Sequence, residues 1–202
     1  MRDARKHDVS AFPPGVLFRC QRDLEPPDEA EGFTAIERVP FARTIDPSFT
    51  NRAVIVWSDG VLARSRSGGR TPSSPDDVLV DPDRAATLRR YAADGWRLLA
   101  MSWQPEVSTG TLDASNVEAT FSKVRDLVGV PIELEYCTHP AGPPICWCRK
   151  PMPGLGVVFI HRHRLEAAQC LYVGEGPHDA AFARKLAFQF REAREFFGAP
   201  GL

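Results

Sequence analysis

From Arg52 onward, short apolar runs alternate with segments whose apolar residues recur at helical spacing, and this alternation leaves few folds open. Ala53 to Trp57 is a compact run rich in β-branched residues, closed by Ser58-Asp59-Gly60, and reads as a buried strand. Asp81 with Pro82 behind it opens a helix that carries Ala85, Leu88, Tyr91 and Ala92 on one face and ends at Gly95. Trp96 to Ser102 is the next strand. Asp113 caps a second helix, whose Val117, Phe121, Val124 and Val128 fall on one stripe. Ile132 to Tyr136 follows as a strand, Gly154 to His163 as a helix, Cys170 to Val173 as a fourth strand, and a helix runs from Asp179 to Ala187. Strands alternating with helices join by right-handed crossovers into a parallel sheet with helices on both faces, an α/β Rossmann-like architecture. The Ser/Gly/Arg stretch from Arg64 to Ser74 reads as a loop.

Residues 1–51 are of a different kind. They are rich in proline and acids, with two strand-like runs, Gly15 to Cys20 and Thr34 to Phe41, and form an N-terminal extension to a domain over 52–202. The net charge of −1 excludes a strongly basic, non-specific nucleic-acid binder. No apolar run approaches the roughly 18 residues of a membrane span, and the polar start from Met1 to Ser10 is not a signal peptide. A cytoplasmic protein with no membrane partner is expected.

Cysteine placement points to a metal. Of five cysteines, Cys137, Cys146 and Cys148 fall within twelve residues, with His139 among them, while Cys20 and Cys170 stand apart. The C-x-H…C-x-C arrangement supplies four donors for a closed tetrahedral site, so a structural Zn²⁺ on Cys137, His139, Cys146 and Cys148 is expected. It would order the proline-rich loop between them and position Arg149 and Lys150. Lysine occurs only four times, so Lys150 is less readily dismissed as surface filler.

In a parallel sheet, chemistry collects at the carboxyl ends of the strands. Those ends carry Trp57-Ser58-Asp59-Gly60, Ser102-Trp103-Gln104, and Gly174-Glu175 with Asp179 four residues on; Cys148-Arg149-Lys150-Pro151 lies between them in sequence. A hydroxyl, a lysine and three carboxylates converging on one edge suit a phosphate and a Mg²⁺ ion.

The order of these motifs resembles the haloacid dehalogenase (HAD) superfamily of phosphatases. The likeness is greatest to its zinc-loop branch of heptose-bisphosphate phosphatase, histidinol-phosphate phosphatase and the phosphatase half of polynucleotide kinase-phosphatases. The resemblance implies phosphate binding by Ser102 and Lys150, with Trp103 and Arg149 beside them, Asp59 as general acid/base, and Mg²⁺ on Asp59, Glu175 and Asp179. It also shows three departures. The nucleophile position holds Trp57, and an indole can neither attack phosphorus nor ligate Mg²⁺. Trp103 stands where the family has asparagine, and Glu175 where it has aspartate. A weakly held Mg²⁺ and impaired catalysis are expected, with the two tryptophans either filling the pocket or offering a stacking surface.

Asp23-Leu24-Glu25-Pro26-Pro27, Glu31-Gly32-Phe33 and Val39-Pro40-Phe41 are similar to the end of the kinase domain of polynucleotide kinase-phosphatases, though no phosphate-binding loop is present. That likeness implies a role in nucleic-acid end processing. Three functions suit these residues: a non-hydrolysing binding or scaffold protein, with a phosphorylated ligand, a nucleic-acid end, or a kinase or repair enzyme as partner; a Mg²⁺-dependent phosphomonoesterase using Asp59 to activate water; or a zinc-organised nucleic-acid-binding module using Arg149, Lys150 and the arginine loop.

Overall fold

The computed structural model describes Arg19 and residues 22–37, 46–141 and 146–198. The chain divides into two compact units, Met1–Thr44 and Ile45–Leu202. In the first, a 3₁₀ turn at Glu29–Glu31 is closed by a capping box. The Asp28 carboxylate accepts from the Ala30 N–H at 2.8 Å, and Glu31 accepts from the Asp28 N–H at 3.2 Å. Residues 34–37 form no strand, and the rest of the two strand-like runs, Arg19 apart, lies outside the described residues. No described helix is long and apolar enough to cross a membrane.

The second unit contains, in order, β1 (Ala53–Trp57), β2 (Ala63–Ser65), β3 (Val78–Val80), α1 (Pro82–Ala93), β4 (Arg97–Trp103), α2 (Glu106–Thr109), α3 (Ala114–Val128), β5 (Glu133–Cys137), α4 (Gly154–His163), β6 (Leu171–Gly174), α5 (Pro177–Leu186), β7 (Gln189–Glu192) and α6 (Ala193–Phe197). The main sheet runs β5-β4-β1-β6-β7, with every neighbouring pair parallel. Its strands alternate sides as a pleat requires. Val54 and Val56 pack under α1, α3 and α6, while Ala53 and Ile55 pack under α4 and α5, and all four are fully buried. The expected parallel sheet with helices on both faces is therefore present.

The caps act as the sequence suggests. Asp81 accepts from the backbone of Asp83 and Arg84 with Pro82 in the first turn, and Asp113 accepts from Ser115. Val117, Phe121, Val124 and Val128 are the buried stripe of α3.

Three elements differ from expectation. The arginine loop is partly a hairpin, because β2 pairs antiparallel with β3. A fifth strand, β7, escapes a pattern search because Gln189-Phe190-Arg191-Glu192 is short and polar, as an edge strand tolerates. The following α6 is only five residues long, too short to show a helical period. His163, at the end of α4, has a side chain only 13% exposed, with Nε2 3.1 Å from Glu133.

The chain leaves β1 toward β4 and β5 on one side and returns to β6 and β7 on the other, so direction reverses at β1. Ligands in open α/β sheets bind in the crevice at such a reversal, beyond the carboxyl ends of the strands. Trp57 to Gly60 lies at that point.

Candidate functional site

Immediately after β1 the chain curls: the Ala63 N–H reaches the Ser58 carbonyl at 2.9 Å and the Gly60 N–H reaches the Ala63 carbonyl at 2.8 Å. The buried Arg84 guanidinium of α1 donates to the Val61 carbonyl and fixes this curl from below. The turn aims Asp59 inward. Its carboxylate accepts from the Ser102 hydroxyl at 2.9 and 3.0 Å and from the Trp103 N–H at 3.1 Å, and Gln104 donates to the Ser102 oxygen at 2.6 Å. Asp59, Ser102 and Gln104 are all buried. Burial pushes the Asp59 pKa up to about 6, although the hydrogen bonds from Trp103 and Ser102 pull the other way.

The second cluster centres on Asp179 in the first turn of α5. Gly174 makes room for it: a Cβ there would lie 2.5 Å from the Asp179 carboxyl carbon. Asp179 accepts from Lys150 Nζ at 2.5 Å, from the Tyr172 hydroxyl at 2.6 Å and from the Glu175 N–H at 3.0 Å. The Lys150 ammonium also stands 3.3 Å from the centroid of the Trp57 ring, a close cation–π arrangement. Burial lowers the Lys150 pKa from its ordinary value, with Asp179 opposing the shift. Burial, then Asp179, raises that of Tyr172. The geometry thus brings Trp57, Lys150 and Asp179 together, and Asp59 and Ser102 together.

The third cluster is the zinc-type loop. Cys137 ends β5, and the ligand atoms of Cys137, His139, Cys146 and Cys148 all lie within 4.8 Å of one another. Cys137 Sγ is 3.5 Å from Cys146 Sγ and 3.2 Å from Cys148 Sγ, and His139 Nδ1 is 3.1 Å from Cys148 Sγ. These spacings are far beyond a disulfide and close to the roughly 3.7 Å edges of a tetrahedron with Zn–S near 2.3 Å. The donor set fits zinc and could bind it. Residues 142–145 of the loop lie outside the described residues. On its far side the Gly154 N–H bonds the Trp147 carbonyl at 2.7 Å, an approach so close that a Cβ on Gly154 would sit 2.5 Å from that oxygen.

Arg149 and Trp103 brace this loop. Arg149 donates to the Pro140 and Ala141 carbonyls at 2.9 Å each and lies 5.0 Å from the Trp103 ring, while the Trp103 indole N–H donates to the His139 carbonyl at 2.8 Å. Both residues, read from sequence as phosphate-binding, are engaged with loop backbone.

Sequence reasoning missed Tyr172, and it read Arg70 only as part of the arginine loop that could bind nucleic acid, not as a partner of Glu175. Arg70 comes from the loop between β2 and β3, and its guanidinium pairs with Glu175 at 3.0 Å. A Gly-Gly-Arg loop gives no cue to that reach. Tyr172 reads simply as an apolar strand residue. His178 is exposed in the first turn of α5.

Magnesium fits this edge poorly. It takes six oxygens at about 2.0–2.1 Å, usually one or two carboxylates with waters and phosphate oxygens as the rest, so at least one carboxylate must be free for it. Trp57 offers none, Asp59 is held by Ser102 and the Trp103 backbone, and Asp179 is buried and already accepts three hydrogen bonds. Only Glu175 is exposed, and Arg70 is its partner.

The chain and its fold have named relatives. No family model matches the chain. It is 28% identical over 126 residues to a probable D-glycero-D-manno-heptose-1,7-bisphosphate 7-phosphatase of Thermoplasma volcanium, covering 60% of this chain and 86% of the relative. To the D-glycero-beta-D-manno-heptose-1,7-bisphosphate 7-phosphatase of Pseudomonas aeruginosa it is 27% identical over 119 residues, covering 56% and 66%. Among solved structures, the D,D-heptose 1,7-bisphosphate phosphatase of B. bronchiseptica, complexed with magnesium and phosphate, superposes with a TM-score of 0.60 at 23% identity, covering 70% of this chain and 79% of that one. This chain has the HAD-like phosphatase fold. A HAD-like protein from Mesorhizobium loti superposes similarly, with a TM-score of 0.59 at 21% identity over 74% of each chain. The HAD-like sheet accounts for why Asp59, Ser102 and Asp179 gather at one edge, since all three lie at or just beyond the carboxyl ends of β1, β4 and β6.

Proposed function

We propose that this HAD-like protein binds a phosphorylated ligand and does not hydrolyse it. The observation that carries the reading is the Lys150 ammonium resting on the Trp57 ring. Trp57 stands at the nucleophile position of the motif, so no aspartyl-phosphate can form, and its indole lies against the cation that would otherwise receive the phosphoryl group. Residues that act as a catalytic unit fail together, and loss of a nucleophile alone removes many orders of magnitude. What survives is a scaffold that keeps Ser102 and the Lys150 charge at the strand edge: the Trp57 ring covers Lys150 on one face, and the zinc-type loop holds it two residues beyond Cys148.

The ligand class has two supports. The named relatives are heptose-bisphosphate phosphatases, which points to a phosphorylated sugar. The likeness of residues 23–27 and 31–33 to the end of a polynucleotide-kinase domain points to a nucleic-acid end, with a kinase or repair enzyme as protein partner. The missing nucleophile departs from both classes alike, and we favour the nucleic-acid end on the likeness of residues 23–27 and 31–33.

The test is turnover of p-nitrophenyl phosphate with Mg²⁺, beside binding of an oligonucleotide carrying a terminal phosphate and of heptose bisphosphate. No turnover with tighter oligonucleotide binding is expected. Mg²⁺-dependent turnover abolished by Asp59→Asn would support the second reading, in which Asp59 activates water. That reading has one observation in its favour, a buried carboxyl group with a pKa of about 6, suited to general acid/base work near neutral pH.

A further inference from the structure

We infer that Arg70 supplies at this edge the positive charge that a divalent cation would otherwise supply, so that the centre takes a phosphate group without magnesium. The inference rests on the reading of a binding, non-hydrolysing centre. It starts from where the carboxylates and cations stand. Asp179 is neutralised from within by Lys150, at 2.5 Å, with Tyr172 and a backbone N–H completing its hydrogen bonds. Glu175 is neutralised by Arg70 at 3.0 Å. Each acid that the resemblance assigns to Mg²⁺ beyond Asp59 thus has a side-chain cation, and the position that should complete the metal site is an indole.

The two ion pairs differ in exposure, and the difference assigns their roles. Lys150 and Asp179 have side chains 11% and 5% exposed, so that pair is fixed. Arg70 and Glu175 are 69% and 44% exposed. An exposed pair of this kind contributes little, is screened by salt and opens readily. Arg70 is therefore a cation that can exchange Glu175 for an arriving anion. Its guanidinium lies against the Gly60 backbone, where a Cβ would be 3.0 Å from Arg70 Nε, so the arginine is laid directly beside the turn that carries Asp59. A planar guanidinium receives two phosphate oxygens at once, which a point charge does not.

The loop carrying Arg70 is tied down at its root. The Asp77 carboxylate accepts from the Ser65 hydroxyl at 2.8 Å and from the Ser73 N–H at 3.0 Å, on either side of Arg70. Only the arginine side chain has to move for an anion to enter.

The test uses inorganic phosphate as probe, titrated calorimetrically into the full chain in metal-depleted buffer and again with MgCl₂. A chelator is avoided because it would strip the cysteine site. Phosphate should bind equally in both buffers. Arg70→Gln should weaken binding about tenfold, the scale of one charge-assisted contact, and Arg70→Lys should recover part of the loss. Unchanged zinc content and circular dichroism would show the variants folded, as the exposure of Arg70 leads one to expect. Binding that requires MgCl₂, an Arg70→Gln affinity equal to wild type, or no phosphate binding at all would overturn the inference. Hydrolysis of p-nitrophenyl phosphate in a parallel assay would instead overturn the non-hydrolysing reading, so the two failures are distinct.

Discussion

The Lys150 ammonium is held between an aromatic face and a carboxylate, 3.3 Å from the Trp57 ring centroid and 2.5 Å from Asp179 Oδ1. Two chemically different partners thus fix one cation at the end of β1, and both stand at positions that the resemblance assigns to the nucleophile and to Mg²⁺. A cation satisfied from within has little need of a metal or of substrate to stay in place. Under the proposed non-hydrolysing reading, this accounts for how the sheet edge can persist with Trp57 at the nucleophile position.

Breaking that pair from one side should be costly. Asp179→Asn leaves a mostly buried ammonium with a neutral amide, and losing one partner of a buried pair costs about 3–5 kcal/mol. Lys150→Met should cost a similar amount, because it strands the carboxylate. The double variant should be more stable than the sum of the two losses predicts, since the Tyr172 hydroxyl and the Glu175 N–H still serve an amide oxygen. Urea denaturation of the four proteins measures this coupling; strict additivity would mean that the two groups do not interact.

Wild-type turnover of an aryl phosphate should be at background, and Trp57→Asp should restore only a trace. Trp103 still occupies the end of β4, tied to the His139 carbonyl, and Glu175 carries one methylene more than the family residue. A misplacement of about 1 Å costs roughly a hundredfold. Trp57→Asp with Trp103→Asn should exceed the sum of the single variants in initial rate. Equal rates for the double variant and Trp57→Asp would show that Trp103 is no obstacle.

Much of this was legible in the residues. Capping aspartates at 81 and 113, the α3 stripe, and the strand at 53–57 follow from period and cap chemistry, which are local. The cysteine cluster was legible because its ligands lie close in sequence. The pairing of Arg70 with Glu175 was not, because it spans 105 residues. Nor was the engagement of Arg149 with loop carbonyls, which no residue pattern encodes. β7 was hidden by its polar edge composition.

Zinc should be present at one ion per chain. Removing it with a chelator, or replacing Cys146 by Ser, should lower Tm by roughly 10 °C, the scale for losing several kcal/mol in a chain of this size. Arg149 and Lys150 directly follow Cys148, so the same treatment should weaken phosphate binding. Elemental analysis showing no metal, with native thiols freely alkylated, would exclude the site.

Asp59 should make the protein lose stability as pH rises, opposite to an ordinary ion-paired carboxylate. Its folded pKa is raised from 3.8 to about 6, chiefly by burial. Below about pH 4 the group is protonated in both the folded and unfolded states, and its favourable contribution is fully present. Between about 4 and 6 the unfolded chain ionises first, so each step upward in pH favours unfolding; above about 6 the folded state must hold a buried charge. A shift of two pKa units corresponds to about 3 kcal/mol. The amide introduced by Asp59→Asn cannot ionise, and its oxygen can still accept from Ser102 and from the Trp103 N–H. Asp59→Asn should therefore match the wild type near pH 4 and exceed it by about 2–3 kcal/mol at pH 8. Urea denaturation of both proteins from pH 4 to 8, without magnesium, gives the difference curve directly and cancels every other titrating group. A difference that stays flat across this range, or an Asp59→Asn protein less stable at pH 8 than at pH 4 relative to wild type, would show that Asp59 is ionised and stabilised by the cations around it.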